Sequence, residues 1–234
     1  MSGLPSSSAE ASLAYNHALQ RTRPSRSGCN PGVRRAGSLS LVVGQTMRIS
    51  LREATAQEAD AVAALRTEVA DHLTKTHGRG HWSYAVSAKS VLQRMRTGKV
   101  FLVRKRGREI ATLALTPQKP WSIDPSYFSE ARRPLYLVDM AVAPEHQREG
   151  IGRVCMMEVE HLARAWPADA IRLDAYDAAA GAGGFYRRCG YHEVGRALYR
   201  KVPLLYYETT LDQGAAQPAV AVGRGPRLRS EPRR

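Results

Sequence analysis

Cysteine is nearly absent from this chain, with three residues in 234. Cys29, Cys155 and Cys189 share no C-x-x-C spacing and are odd in number, which argues against a disulfide framework and suits a reducing compartment. Long apolar runs are missing as well. None approaches a membrane span, and the N-terminus lacks the apolar centre of a signal peptide, so the expected location is cytoplasmic, with no membrane partner. Acidic residues are in deficit, 21 against 35 Lys and Arg, for a formal charge of +14. Residues 1–46 hold five Arg and one Glu, as do residues 213–234, so each tail contributes +4 and the central segment only +6. Neither tail interleaves aromatics with its arginines as a folded nucleic-acid surface would, and no nucleic-acid partner is expected. His72, His77 and His81 fit no familiar ligand spacing and read as part of a polar loop, so no metal is expected.

What is present is enough hydrophobic sequence, 43%, for one domain with tails. Residues 1–46 are Ser/Arg-rich and read as a disordered leader or an over-extended start, with Met47 just ahead of the first strand-like segment. The domain is expected over 47–212, and 213–234 as a disordered basic tail. Residues 48–53 alternate like a strand, and Thr55 to Glu58 form a capping box before a helix at about 56–72. Its apolar face is Ala59, Val62, Ala63, Leu65, Val69 and Leu73. A second helix is expected at 86–97 with Val91, Leu92 and Met95 inward and Gly98 ending it. Residues 100–116 read as a hairpin turning at Arg106-Gly107. Gln118 to Pro134 has no period but carries Trp121, Tyr127 and Phe128. It reads either as a wall of a binding site or as a loop packing its own aromatics.

The most informative run follows the apolar strand Leu135 to Val142. Gln147-Arg148-Glu149-Gly150-Ile151-Gly152 opens a helix, 150–166, whose Ile151, Cys155, Val159, Leu162 and Trp166 recur at helical spacing. Glycines at a helix start leave main-chain N–H groups pointing at one spot, and the helix dipole adds positive character there, which suits a phosphate. The spacing is neither that of a Walker A loop nor that of a dinucleotide fingerprint. After a strand at 170–176 comes Gly184-Phe185-Tyr186-Arg187-Arg188-Cys189-Gly190-Tyr191. Gly181, Gly183 and Gly184 break up the segment before it and read as close packing or a late helix start. Strand signals at 191–195 and 201–207 follow, and Pro203 makes the latter an expected edge or bulged strand.

The Q-x-x-G-x-G run and the F-Y-x-x-x-G-[FY] segment together resemble the GNAT superfamily of acyl-CoA-dependent N-acyltransferases, over roughly residues 47 to 208. One position departs from that pattern: family members often carry Asn six residues before the Phe, and here Ala179 stands there. The resemblance implies an α/β fold with a central mixed, mostly antiparallel sheet flanked by helices and splayed at the acyl-CoA site. It implies an N-acetyltransferase that moves acetyl directly from acetyl-CoA to a primary amine of a small molecule or peptide, as monomer or homodimer. A GNAT-like protein that holds acyl-CoA without turnover is the alternative.

On that resemblance, residues 147–152 bind the pyrophosphate through main-chain N–H groups, with Arg148 and Arg153 available for charge-assisted contacts. A bulge in the central strand is implied around Met140, Ala141 and Val142, where an exposed N–H would polarise the thioester carbonyl. Tyr186 matches the superfamily tyrosine that protonates the departing thiolate, or it is a packed aromatic. An alkylamine, with a pKa of about 10.4, must lose a proton before it attacks. Asp139 is the nearest acid by sequence and could serve as base or bind the substrate's cation, with Glu53 a weaker candidate. Cys155 reads as core and Cys189 as structural.

Overall fold

The computed structural model describes residues 51–211. Residues 1–46 and 213–234, the boundaries at Met47 and Asp212, and Cys29 lie outside the described residues. The elements in chain order are β1 (Leu51–Glu53), α1 (Ala59–His77), α2 (Ala88–Thr97), β2 (Lys99–Lys105), β3 (Arg108–Thr116), β4 (Pro134–Val142), α3 (Ile151–Ala165), β5 (Ala170–Tyr176), α4 (Gly183–Arg188), β6 (His192–Tyr199) and β7 (Val202–Thr210). The strands form one sheet in the order β1-β2-β3-β4-β5-β7-β6. Only the β4–β5 neighbours are parallel; every other pair is antiparallel.

Local chemistry explains most of these boundaries. The Thr55–Glu58 capping box is formed, with the Thr55 amide donating to Glu58 Oε2 at 2.8 Å. A 3-10 turn at Ala56–Glu58 leads into α1, which runs five residues past the expected end at 72. Its expected apolar face is buried as read, and Arg66 is buried on the same side at 2% exposure. Ser87 caps α2 by accepting from the Ser90 amide. Val91 points inward, but Leu92 is 37% exposed, contrary to expectation. Val91 and Met95 share one stripe of this short helix, and Leu92, a third of a turn away, falls outside it. The β2–β3 turn places Arg106 and Gly107 both at positive φ, the conformation of a tight hairpin.

Of two expectations for the C-terminal half, one holds and one needs correction. Of Asp177 to Gly190 only Gly183–Arg188 is helical, the late-start reading of those glycines. Pro203 does not mark an edge: β7 lies inside the sheet between β5 and β6, and β6 is the edge strand. Pro203 is tolerated because it stands second in β7, opposite Leu198 and beside the turn at Arg200-Lys201, where one missing N–H costs little of the ladder. The bulge is in β6, between Glu193 and Gly195. Gly195 leaves room there for the Tyr127 ring, since a Cβ would sit 2.1 Å from Tyr127 Cδ1.

Helices cover both faces of the sheet. Ile151, Cys155, Met156 and Val159 of α3, with Phe185 and Tyr186 of α4, pack on one face against Leu137, Ile171 and Leu173. Val62, Val69 and Leu73 of α1, with Val91 of α2, pack on the other against Val138, Tyr176 and Tyr206. The feature that positions a site is the parallel pair. β4 and β5 are joined only over Pro134–Tyr136 and Ala170–Arg172. Leu137–Val142 and Leu173–Tyr176 therefore diverge and leave a wedge open between two strands.

Candidate active site

The wedge has a chemically distinct wall on each side. On the β4 side the register with β3 sets Leu113 opposite both Asp139 and Met140, a bulge in which Asp139 adopts φ 58°. It falls one residue ahead of the Met140–Val142 stretch where it was expected. The side chains of Met140, Ala141 and Val142 are buried in the two cores, so only their main chain is available at the open edge. The Val142 carbonyl accepts from Gln147 Nε2 at 3.1 Å, which ties the following loop to the end of β4.

That loop continues through a 3-10 turn at Pro144–His146 and two left-handed residues, Arg148 at φ 66° and Gly150 at φ 85°. The first bond into α3 runs from the Val154 amide to the Gly150 carbonyl at 3.1 Å. The amides of Ile151, Gly152 and Arg153 precede it and have no carbonyl one turn back within the helix. A Cβ on Gly150 would meet nothing within 4 Å, so the surface beside Gly150 is open. Arg148 and Arg153 are exposed at its rim. Glu149 turns its carboxylate to Lys105 at 2.9 Å and to His146 at 3.3 Å, and these contacts hold its pKa below the usual carboxylate value. Ile151 buries its side chain in the core. Glu149 and Ile151 can thus offer an anion main-chain groups only. The loop thus combines main-chain amides at a helix start with two exposed arginines, groups able to hold an anion.

Asp139 is not placed as a free base. Its Oδ1 accepts from Arg66 Nη2 at 2.6 Å and its Oδ2 from Arg94 Nε at 3.0 Å. A carboxylate whose two oxygens each face a guanidinium is an anchor, and here it fastens the β4 bulge to α1 and α2. Glu53 is also misplaced for catalysis: it is half exposed near the far edge of the sheet and pairs with Lys99 at 2.9 Å.

The β5 wall supplies the acid that the sequence reading passed over. Arg172, Asp174 and Tyr176 share one face of β5, all buried. Burial pushes the Asp174 carboxyl up to about 7, and the charge of nearby Asp139 adds to the rise. Ser122 Oγ donates to Asp174 Oδ1 at 3.3 Å and opposes it. A carboxyl poised near neutrality is suited to taking up a proton. The available signal was the pair Arg172 and Asp174 inside a strand otherwise apolar at every position.

Tyr186 is 1% exposed, packed among Phe185, Tyr191 and Tyr207 with centroids 5.2, 6.2 and 5.9 Å away. Burial raises its pKa well above the usual value, with Asp174 the next contributor, so the phenol is neutral and carries its proton. Its ring is packed on several sides and its phenol keeps a proton that it could donate. Cys155 is core, its thiol pushed up to about 12 by burial. Cys155 and Cys189 are both free thiols.

The 118–134 loop combines its two readings. Phe128 and Tyr127 pack on Tyr206 with centroids 5.4 Å away. Arg172 stacks over Phe128 and pairs with Glu208 at 2.8 Å, and Glu208 accepts from the Ser129 amide. Trp121, in contrast, is 80% exposed on the rim of a groove. Of the three histidines, His81 stacks on Tyr176 at 6.2 Å, and no group of three metal-ligating side chains occurs among the described residues. No described helix is long and apolar enough to cross a membrane.

Comparison with known proteins bears on the family and the fold. A model of the acetyltransferase (GNAT) family matches residues 65–191. No curated protein matches the chain. Among solved structures, the ribosomal-protein-S18-alanine N-acetyltransferase from Escherichia coli is similar at 12% identity and TM-score 0.54, over 72% of this chain and 97% of that one. An acetyltransferase of the GNAT family from Listeria monocytogenes is similar at 17% identity and TM-score 0.57, over 70% and 95%. The protein yncA from Salmonella typhimurium, solved with its cofactor acetyl-CoA, is similar at 18% identity and TM-score 0.51, over 73% and 98%. At these identities the likeness is one of fold.

Proposed function

Since this chain belongs to the GNAT acetyltransferase family, we propose that it is an N-acetyltransferase moving acetyl directly from acetyl-CoA to a primary amine. The observation that carries the reading is the wedge between β4 and β5, with an amide-lined loop following β4 and the buried Asp174 on β5.

In this reading the main-chain amides of residues 148–153, with Arg148 and Arg153, hold the pyrophosphate of acetyl-CoA, and the acyl arm enters the wedge. Gln147 contributes by fixing the loop to β4. An amide of Met140–Val142 on the open edge of β4 has no strand to pair with and donates to the thioester oxygen as charge builds there. The amine reaches the site as an ammonium and loses one proton to Asp174. Its nitrogen then attacks the thioester carbon; the C–N bond forms, the C–S bond breaks, and the thiolate takes the Tyr186 proton. The new amide nitrogen gives up its second proton, through water, to the Tyr186 phenolate, and the proton on Asp174 returns to water, which restores the starting state. Asp139 acts at one remove, holding the bulge in place through Arg66 and Arg94.

The test pairs calorimetric titration of acetyl-CoA with measurement of thiol release across a panel of amines. Binding with amine-dependent thiol release supports the reading. Tight binding with no thiol release from any amine would leave a protein that holds acyl-CoA without turnover.

A further inference from the structure

A groove of about 620 Å³ opens beside Asp174, between the 118–134 loop and the β6–β7 hairpin. Its inner wall includes Ser122 and Tyr206. These are the residues next to the buried carboxyl: Ser122 donates to Asp174, Tyr206 is its cross-strand partner on β7, and the Tyr206 hydroxyl donates to the Ser122 carbonyl. The groove therefore ends against the immediate surroundings of Asp174.

Its outer wall is unusual for a water-facing surface. Five large hydrophobic side chains are exposed among the described residues, and three of them line this groove: Trp121 at 80%, Leu198 at 71% and Tyr127 at 41%. Apolar surface gathered in one concave place is characteristic of a site that a ligand covers. The charges of the groove are mutually satisfied. Asp177 pairs with Arg196 at 3.0 Å. Asp124 accepts from the amide and hydroxyl of Ser126, at 3.0 and 2.8 Å, and Lys119 is close enough to help hold its pKa below the usual value. A polyamine or aminoglycoside carries several ammonium groups, each needing a carboxylate or a carbonyl cluster to replace its water. These walls offer no such surplus of acids.

We infer that this groove binds the acceptor, and that the acceptor is a primary amine with a single positive charge and one flat aromatic or bulky apolar group. The ring lies against Trp121, Tyr127 and Leu198, and the amine points inward, past Ser122 and Tyr206, toward Asp174. Sequestering such a group from water supplies the affinity, and the one ammonium needs only the one carboxylate. This rests on the acetyl-transfer reading for the fate of the amine, but the binding itself does not depend on it.

The experiment uses the full chain with 2-phenylethylamine and spermidine as probes, read by tryptophan fluorescence and by thiol release with acetyl-CoA. Phenylethylamine is expected to change the fluorescence saturably, and Trp121→Phe to remove that change. Leu198→Asp, at an exposed position, is expected to weaken phenylethylamine binding about tenfold and leave acetyl-CoA affinity unaltered. Trp121→Ala, followed by calorimetric titration because the reporter is lost, should weaken it at least as much. Saturable binding of phenylethylamine without thiol release from it or from any other amine of the panel would support the groove and overturn acetyl transfer. Tighter binding or faster turnover of spermidine would overturn the groove assignment. So would absence of phenylethylamine binding at millimolar concentration, or binding indifferent to both wall substitutions.

Discussion

Asp139 on β4 and Asp174 on β5 stand on the two sides of the wedge, as the same side chain at similar burial, 4% and 2% exposed. Asp139 lies between two guanidiniums, from helices on the same face of the sheet. Asp174 meets a hydroxyl from a loop, and burial pushes its carboxyl up to about 7. One aspartate is a structural pin and the other a titrating group at neutral pH, and the difference lies in the partners that other elements bring. Residue type and depth of burial therefore do not assign a catalytic acid or base; the charges around it do.

The largest expected effect is on stability. Asp139→Asn keeps the shape but removes the charge shared by Arg66 and Arg94, whose side chains are 3% and 19% exposed. We expect a loss of about 3–5 kcal/mol in urea unfolding, the usual result of removing one partner of a buried pair. A loss below about 1 kcal/mol, typical of surface pairs, would erase the contrast between the two aspartates.

Next comes catalysis on the β5 side. Asp174→Asn should lower kcat by about 10²-fold or more and remove the rising limb of the rate profile near pH 7, as expected for one proton-transfer group. Turnover unchanged by the amide would shift the base to water. Tyr186→Phe keeps the ring and its packing, so a fall in kcat of about 10²-fold with the KM for acetyl-CoA nearly constant would read as chemistry. A Phe variant within about twofold of the parent, using an amine for which chemistry limits turnover, would make the phenol purely structural.

A smaller effect sharpens the same contrast through pH. The folded-state pKa of Asp174 is raised from 3.8 to about 7, so the folded chain binds its proton more tightly than the unfolded chain. The resulting stabilisation is fully present below the unfolded pKa of 3.8 and is lost as pH rises through about 7. Unfolding free energy of the parent should therefore decline over that window, and that of Asp174→Asn should decline less. Parallel curves for the two proteins would refute the assignment of this titration to Asp174. The smallest expected effect is at the loop. Gly150→Ala places a Cβ in open space at φ 85°, so its cost of about 1–2 kcal/mol comes from the left-handed backbone alone, measurable by thermal unfolding.

Much of the frame was legible because its signals are local in the chain. The Thr55–Glu58 box, the Arg106-Gly107 turn, the helical spacing from Ile151 to Val159 and the glycines ahead of α3 each act within a few residues of one another. The order of the last strands was not legible. Pro203 suggested an edge, yet the tight β6–β7 hairpin folds back so that β7 fills the place beside β5. Leu92 was read inward on periodicity alone, and the narrow contact of a ten-residue helix left it at the rim.

The sequence by itself determined the glycine turn that opens α3 and the late helix start ahead of the second motif, since each is built by backbone geometry within a few residues of chain. Only the tertiary structure decided what the two aspartates do. Arg66 reaches Asp139 across 73 residues of chain, and Ser122 reaches Asp174 across 52. The protonation behaviour of a carboxyl is set by burial and by charges within a few ångströms, and it is the folded sheet that brings those distant residues close.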